Sequence, residues 1–213
     1  MVFLSWTRPS PAQQKACIHR SEGFNYDPKY QGASSQPLSS SNKEKLTKNG
    51  FFLNHSRILL GSGPQTFHNA KTALQTWRHL ALNWAFVDPK TSIEVGTKFC
   101  ICVKELLPWV MLPLQVSSVV NDSSNSVGRR GHKGATFGFV SGTLHGHLLA
   151  GEECFSIELD EDNQVWYEIS SFSKPAHFLS FIGYPYVKLR QKYFAHQSTQ
   201  SILKHITAQP VAT

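Results

Sequence analysis

Phe137-Gly138-Phe139-Val140-Ser141-Gly142-Thr143-Leu144, His145-Gly146-His147-Leu148-Leu149-Ala150-Gly151 and Glu152-Glu153-Cys154-Phe155-Ser156-Ile157-Glu158-Leu159 follow one another without a break. Within 136–175, apolar and polar residues alternate on the flanks with the period of two that marks a half-buried strand. Phe155, Ile157 and Leu159 fall on one face, and Val165, Tyr167 and Ile169 share a face in the next run. Residues 160–163 between them, Asp160-Glu161-Asp162-Asn163, predict a hairpin turn. They do not make a calcium loop, because Val165 and Ser171 stand where that loop needs Gly and Glu. The connection at 145–151 is different in kind. It packs two histidines and two following glutamates among glycines.

Upstream, Pro64 opens a helix with Ser62 or Gly63 as its cap, and Phe67, Ala70, Leu74, Trp77 and Ala81 form one apolar face. Gly61-Ser62-Gly63 lacks the lysine and the spacing of a phosphate loop, so it reads as a cap. Residues 51–60 read as a strand, 84–87 as a short one, and 93–105 as a longer one with a bulge at Gly96. In that longer strand Phe99, Ile101 and Val103 oppose Cys100 and Cys102. Residues 106–120 are apolar but interrupted by Pro108 and Pro113, which predicts an edge strand and a bend. A short helix is expected over 11–19, and mobile polar loops over 31–49 and 121–134. Downstream of Pro175 the pattern turns helical. Gly183-Tyr184-Pro185 breaks it into a short helix and a long one over about 185–206, with Tyr186, Leu189, Tyr193, Ile202 and Ile206 on one face, joined by Val187 and Phe194. Residues 207–213 read as a frayed tail.

Composition sets the limits. At 213 residues with 40% apolar and 12% aromatic content, the chain can bury a core as one domain over 1–213. Formal net charge is +7, with five Lys/Arg and no Asp or Glu from Lys174 onward, and six acidic residues within 152–162. A basic tail by itself suits an anionic membrane surface, nucleic acid or a solvated helix face. Nucleic acid is not an expected partner, since the basic residues at 129–133 lack interleaved aromatics for stacking. Four cysteines at these spacings make neither a disulfide framework nor a zinc site, and free thiols are expected. No run of about 18–20 apolar residues is present for a spanning helix. The first six residues lack the basic lead and cleavage-like sequel of a secretory signal.

Chemistry, if present, gathers at Thr143, His147, Glu152 and Glu153. A histidine beside a carboxylate can serve as a general base, and His145, His147 and Glu152 are residue types that bind metals. Equally, His147 and Glu152 can hydrogen-bond across the connection and hold its glycines in a turn. Neither a metal nor another cofactor is expected, and no catalytic residue is assigned. Ser173, before Lys174-Pro175, fits a helix cap better than a nucleophile because no elbow motif accompanies it.

Ser141-Gly142-Thr143-Leu144-His145-Gly146-His147, Gly151-Glu152-Glu153 and Ser171-Phe172-Ser173-Lys174-Pro175-Ala176 resemble a family of unknown function shared by bacteria and plants. The plant branch is similar almost residue for residue at 99–105, 107–115 and 183–192. That resemblance implies a chloroplast outer-envelope protein forming a cation-permeable channel. Its bacterial branch is similar to helix-grip domains that bind small molecules.

The fold expected is α+β: a curved antiparallel sheet packed around a long C-terminal helix, helix-grip-like, with one earlier amphipathic helix. Such a sheet and helix commonly leave a cavity between them. A lone membrane barrel would need at least about eight strands of nine to eleven residues, so a pore here requires an oligomer or refolding. Three functions follow: a plastid outer-envelope cation channel, a soluble or peripheral module binding a small apolar ligand, and an enzyme using His147 and Glu152. The candidate functional residues are Thr143, His147, Glu152 and Ser173.

Overall fold

A computed structural model describes residues 2–36, 39–105, 108–127 and 133–208. In chain order it contains β1 (Phe3–Ser5), α1 (Pro11–His19), α2 (Ser40–Lys48), β2 (Phe52–Ser62), α3 (Pro64–Gln75), β3 (Ala85–Phe86), β4 (Lys98–Lys104) and β5 (Trp109–Val127). These are followed by β6 (Lys133–Thr143), β7 (Leu149–Leu159), β8 (Gln164–Pro175), α4 (Phe178–Ile182) and α5 (Tyr184–Ala208). The strands form one antiparallel sheet in the order β2-β8-β7-β6-β5-β4-β3, and β1 joins the start of β5. The sheet curls around α5, which gives the α+β, helix-gripping architecture that the pattern predicts.

The alternation of 136–175 produces the two faces. Phe137, Phe139, Phe155, Ile157, Val165, Tyr167 and Ile169 all point into the concave side, where they meet α3, Trp77 and α5. On the convex side Ala150 and Phe172 pack with Tyr26, Tyr30, Leu46 and Phe51 from the N-terminal segment. Cys100 and Cys102 face Cys17, Trp109 and Met111 there, and none of the four cysteines forms a disulfide. Curvature comes with register shifts at Leu59/Gly61 and Val116/Ser118, since an extra residue in one strand bends and twists the pair. The 160–163 turn forms as expected, with Asn163 in the left-handed region at φ 60°.

Helix α5 grips through its second half. Ile202 is fully buried, Ala195, Ser198 and Thr199 are buried, and the hydroxyls of Ser198 and Tyr167 meet at 2.7 Å. Burying one such isoleucine contributes about 1.5–3 kcal/mol. The expected apolar face of this helix holds in part. Tyr186, Leu189 and Tyr193 are exposed, whereas Val187 and Phe194, expected to join that face, turn inward together with Gln191. The earlier helix also stops sooner than its periodicity implies: Trp77 takes φ 58°, the chain turns, and Ala81 leaves the apolar face.

Several local expectations differ from the structure. Within 31–49, read as a loop, Ser39 caps α2 by accepting the Asn42 amide, and Leu46 anchors that helix in the convex cluster. One apolar residue, with little periodic signal around it, is enough when tertiary packing supplies the rest. Residues 121–127 and 133–134 extend β5 and β6 as far as the Val127–Lys133 pair, so these described residues are strand rather than loop. Arg129, Arg130 and His132 lie outside the described residues. So do 209–213 of the expected tail, whereas α5 continues through 207 and 208. Strand β5 is central, not an edge. Pro113 is tolerated because its carbonyl, and hence its missing N–H, points to the side where the partner changes from β1 to β6. The strand expected over 93–105 begins only at Lys98, and Gly96 turns the preceding chain at φ 90°.

Candidate functional site

Strand β7 places Glu152 and Glu153 on opposite faces of the sheet, because successive side chains alternate. Glu153 is in phase with Phe155 and Ile157, so it faces the concave side. There the sheet and α5 leave a cavity of about 320 Å³. Leu80, Trp84, Val103, Leu114, Val187 and Phe194 supply much of its apolar wall. Glu105, Tyr186 and Arg190 stand at its mouth, where Arg190 Nε donates to Glu105 at 3.2 Å and the guanidinium carbon lies 3.9 Å from the centroid of the Trp84 ring.

Thr143, His147, Glu152 and Ser173 all border this cavity, but they do not act as one group. Thr143 is an anchor between segments. Its hydroxyl donates to Asn25 Oδ1 at 2.6 Å and accepts the Gly151 amide at 2.9 Å. Gly151 itself has φ 155°, and a side chain there would run into the Phe172 carbonyl of β8. Ser173 is not a helix cap. It sits inside β8, opposite Gly151, and accepts from Gln191 Nε2 at 2.9 Å, linking the sheet to α5.

His147 and Glu152 do not pair with each other among the described contacts. His147 Nδ1 lies 2.9 Å from the Leu149 amide nitrogen and 3.0 Å from the Leu149 carbonyl oxygen, so the ring is tied to its own segment. Burial holds its pKa down at about 4. Glu152 is 3% exposed and its carboxylate turns to the convex side. Oε1 accepts from the Tyr26 hydroxyl and the Gly32 amide, each at 2.8 Å; Oε2 accepts from Ser34 N at 3.3 Å and Ser34 Oγ at 3.1 Å. Four donors on one buried carboxylate make a structural anchor, and none of its capacity is aimed at His147.

Glu153 is the contrast. It makes no hydrogen bond among the described contacts, and its low-dielectric surroundings push its pKa up to about 7. Beside it, Ser171 is its partner on β8. Gln191 Oε1 is buried without a partner. Residues reached only through folding, such as Gln191, Trp84 and Tyr26, carry no local signal in the sequence. Glu153 does, through its phase with Phe155. Among the described residues no cluster of three or more His, Cys, Asp or Glu is placed to hold a metal.

The model of a domain of unknown function, DUF1990, matches residues 36–201. A UPF0548 protein of Arabidopsis thaliana is 59% identical over 210 residues, spanning 98% of this chain and 100% of that protein. One from Dictyostelium discoideum is 30% identical, spanning 93% and 94%, and one from Deinococcus radiodurans is 26% identical, spanning 70% and 75%. Among solved structures, the crystal structure of Ara h 8.0201 aligns at TM-score 0.46 and 10% identity, covering 75% of this chain and all of that one.

Proposed function

The chain belongs to the DUF1990 family of unknown function, and we propose that this member binds a small apolar ligand in the cavity between its sheet and its C-terminal helix. The observation that carries the reading is the cavity itself, about 320 Å³ with a largely apolar wall, left open beside an otherwise close-packed concave face. That volume lies at the lower end of the range for small-molecule sites. At the roughly 30 Å³ that one water occupies in the liquid, it holds a ligand of about ten non-hydrogen atoms.

The channel implied by the family resemblance finds less support in this geometry. A barrel pore has a polar, water-filled lumen, whereas here Trp77, Phe139, Phe155 and Ile202 fill the concave side. No described helix is long and apolar enough to cross a membrane. The outer-envelope address and the cation channel remain proposals from resemblance. An alkali-resistant membrane fraction with cation conductance would favour them.

The test of ligand binding is titration of the full chain with 1-aminonaphthalene, a neutral probe of about eleven non-hydrogen atoms, matched to the cavity volume, whose emission shifts to the blue in apolar surroundings. Saturable binding is expected. Val187→Trp, which fills the cavity from α5, should weaken it at least about tenfold with an unchanged circular dichroism spectrum. A wild-type chain that fails to bind, or a filled variant that binds equally well, overturns the proposal.

A further inference from the structure

We infer that the ligand has a hydrogen-bond donor at its polar end, an amine in preference to an alcohol, and that Glu153 receives it. The inference rests on the cavity-binding reading and adds the chemistry of the ligand's polar end.

Glu153 is aimed into an apolar cavity and makes no hydrogen bond or ion pair with a described residue. Ser141 on β6 is its other cross-strand neighbour, and the charged and ring-bearing groups around the cavity are committed elsewhere. On β8 and α5, Tyr167 and Ser198 bond to each other. In the β6–β7 connection, His147 is neutral and tied to the Leu149 amide. At the mouth, Arg190 is held by Glu105, and the Tyr186 hydroxyl also donates to that carboxylate at 2.5 Å. Ser171 stands next to Glu153 on β8, and Gln191 leaves one end of its amide unpaired. No described cation is left to compensate the carboxylate, so an ionised Glu153 is a charge awaiting a partner.

A protonated amine supplies that partner. Its ammonium donates to Glu153, and its apolar body covers Trp84, Leu114 and Phe194. An alcohol donates without neutralising the charge. A carboxylate places like charges in one low-dielectric site, which disfavours it strongly.

The cavity size selects a chain of about eight carbons for the test. Octylamine, octanol and octanoic acid compete against 1-aminonaphthalene on the full chain and on Glu153→Gln, at about pH 8 and about pH 5.5. An alkylamine keeps its proton throughout this range, as a lysine does. At the higher pH the amine should bind about tenfold or more tightly than the alcohol, the scale of a hydrogen bond to a charged group. That preference should shrink at the lower pH, where Glu153 is protonated, and disappear in Glu153→Gln, while octanol binding changes little.

Preferential binding of the acid overturns the inference, and so does an amine preference that survives in Glu153→Gln. Equal binding of all three overturns the donor requirement and leaves the cavity reading standing. Failure of the wild-type chain to bind the probe overturns both.

Discussion

Glu152 and Glu153 are neighbours in the chain and face opposite sides of the sheet. One carboxylate is surrounded by four donors from the N-terminal segment, and the other is left bare in an apolar cavity. Identical side chains thus take different roles, one tying the molecule together and the other offering itself to a ligand.

Removal of the anchored carboxylate should loosen the convex layer. Glu152→Ala leaves Tyr26, Gly32 and Ser34 without their acceptor and should cost on the order of 3 kcal/mol in urea unfolding. Amide exchange at Gly32 and Ser34 should accelerate, while probe affinity stays within about twofold. Unchanged exchange at those two amides would contradict the anchoring role.

Stability should respond to Glu153 in the opposite direction. Its pKa is about 7 folded against an ordinary 4.5, so the folded state holds the proton more tightly. Its contribution is therefore fully present below about pH 4.5 and is lost as pH rises through 7. Glu153→Gln should be more stable than the parent at about pH 8, by up to on the order of 3 kcal/mol, with the difference gone near pH 4. Unfolding midpoints across that range decide it. A variant that is less stable at every pH would rule the effect out.

His79 lies fully buried against Trp77 and Phe155, at ring-centroid distances of 5.5 and 4.6 Å, with both nitrogens unpaired. Burial depresses its pKa to about 3 from an ordinary 6.5, and His147 behaves alike at about 4. Depressed values mean that the unfolded chain binds protons first, so the stability contributed by both histidines is present above pH 6.5 and falls away in acid. His79→Leu should gain about 1 kcal/mol at neutral pH by removing the unpaired atoms. Its advantage should widen at pH 5, as read by thermal unfolding.

The N-terminal segment depends on a close approach at Gly142. A methyl group there would meet the Tyr26 hydroxyl and come within 2.7 Å of the Phe24 ring. Gly142→Ala should therefore cost about 1–3 kcal/mol through overpacking. Because Tyr26 also donates to Glu152, adding Tyr26→Phe should cost less than the sum of the two single changes. Strict additivity in a denaturation cycle would break that link.

Much of this architecture is legible in the sequence. Period-two alternation in 137–159 and 164–175 determines which residues face the helix, since a strand has only two sides. Pro64, the break at 183–185 and the turn at Asn163 mark element ends for reasons local to each residue. Even Glu153 can be assigned to the concave face from its phase with Phe155 and Ile157. Tertiary structure alone decided the rest. Glu152 meets Tyr26, Gly32 and Ser34 across more than a hundred residues of chain, and α2 stands on one packed leucine. Which half of α5 is buried depends on how far the sheet curls, and that curl also leaves the cavity beneath Val187 and Phe194. Periodicity fixes the direction of a side chain on its own element; what waits on the other side is fixed only when the elements pack.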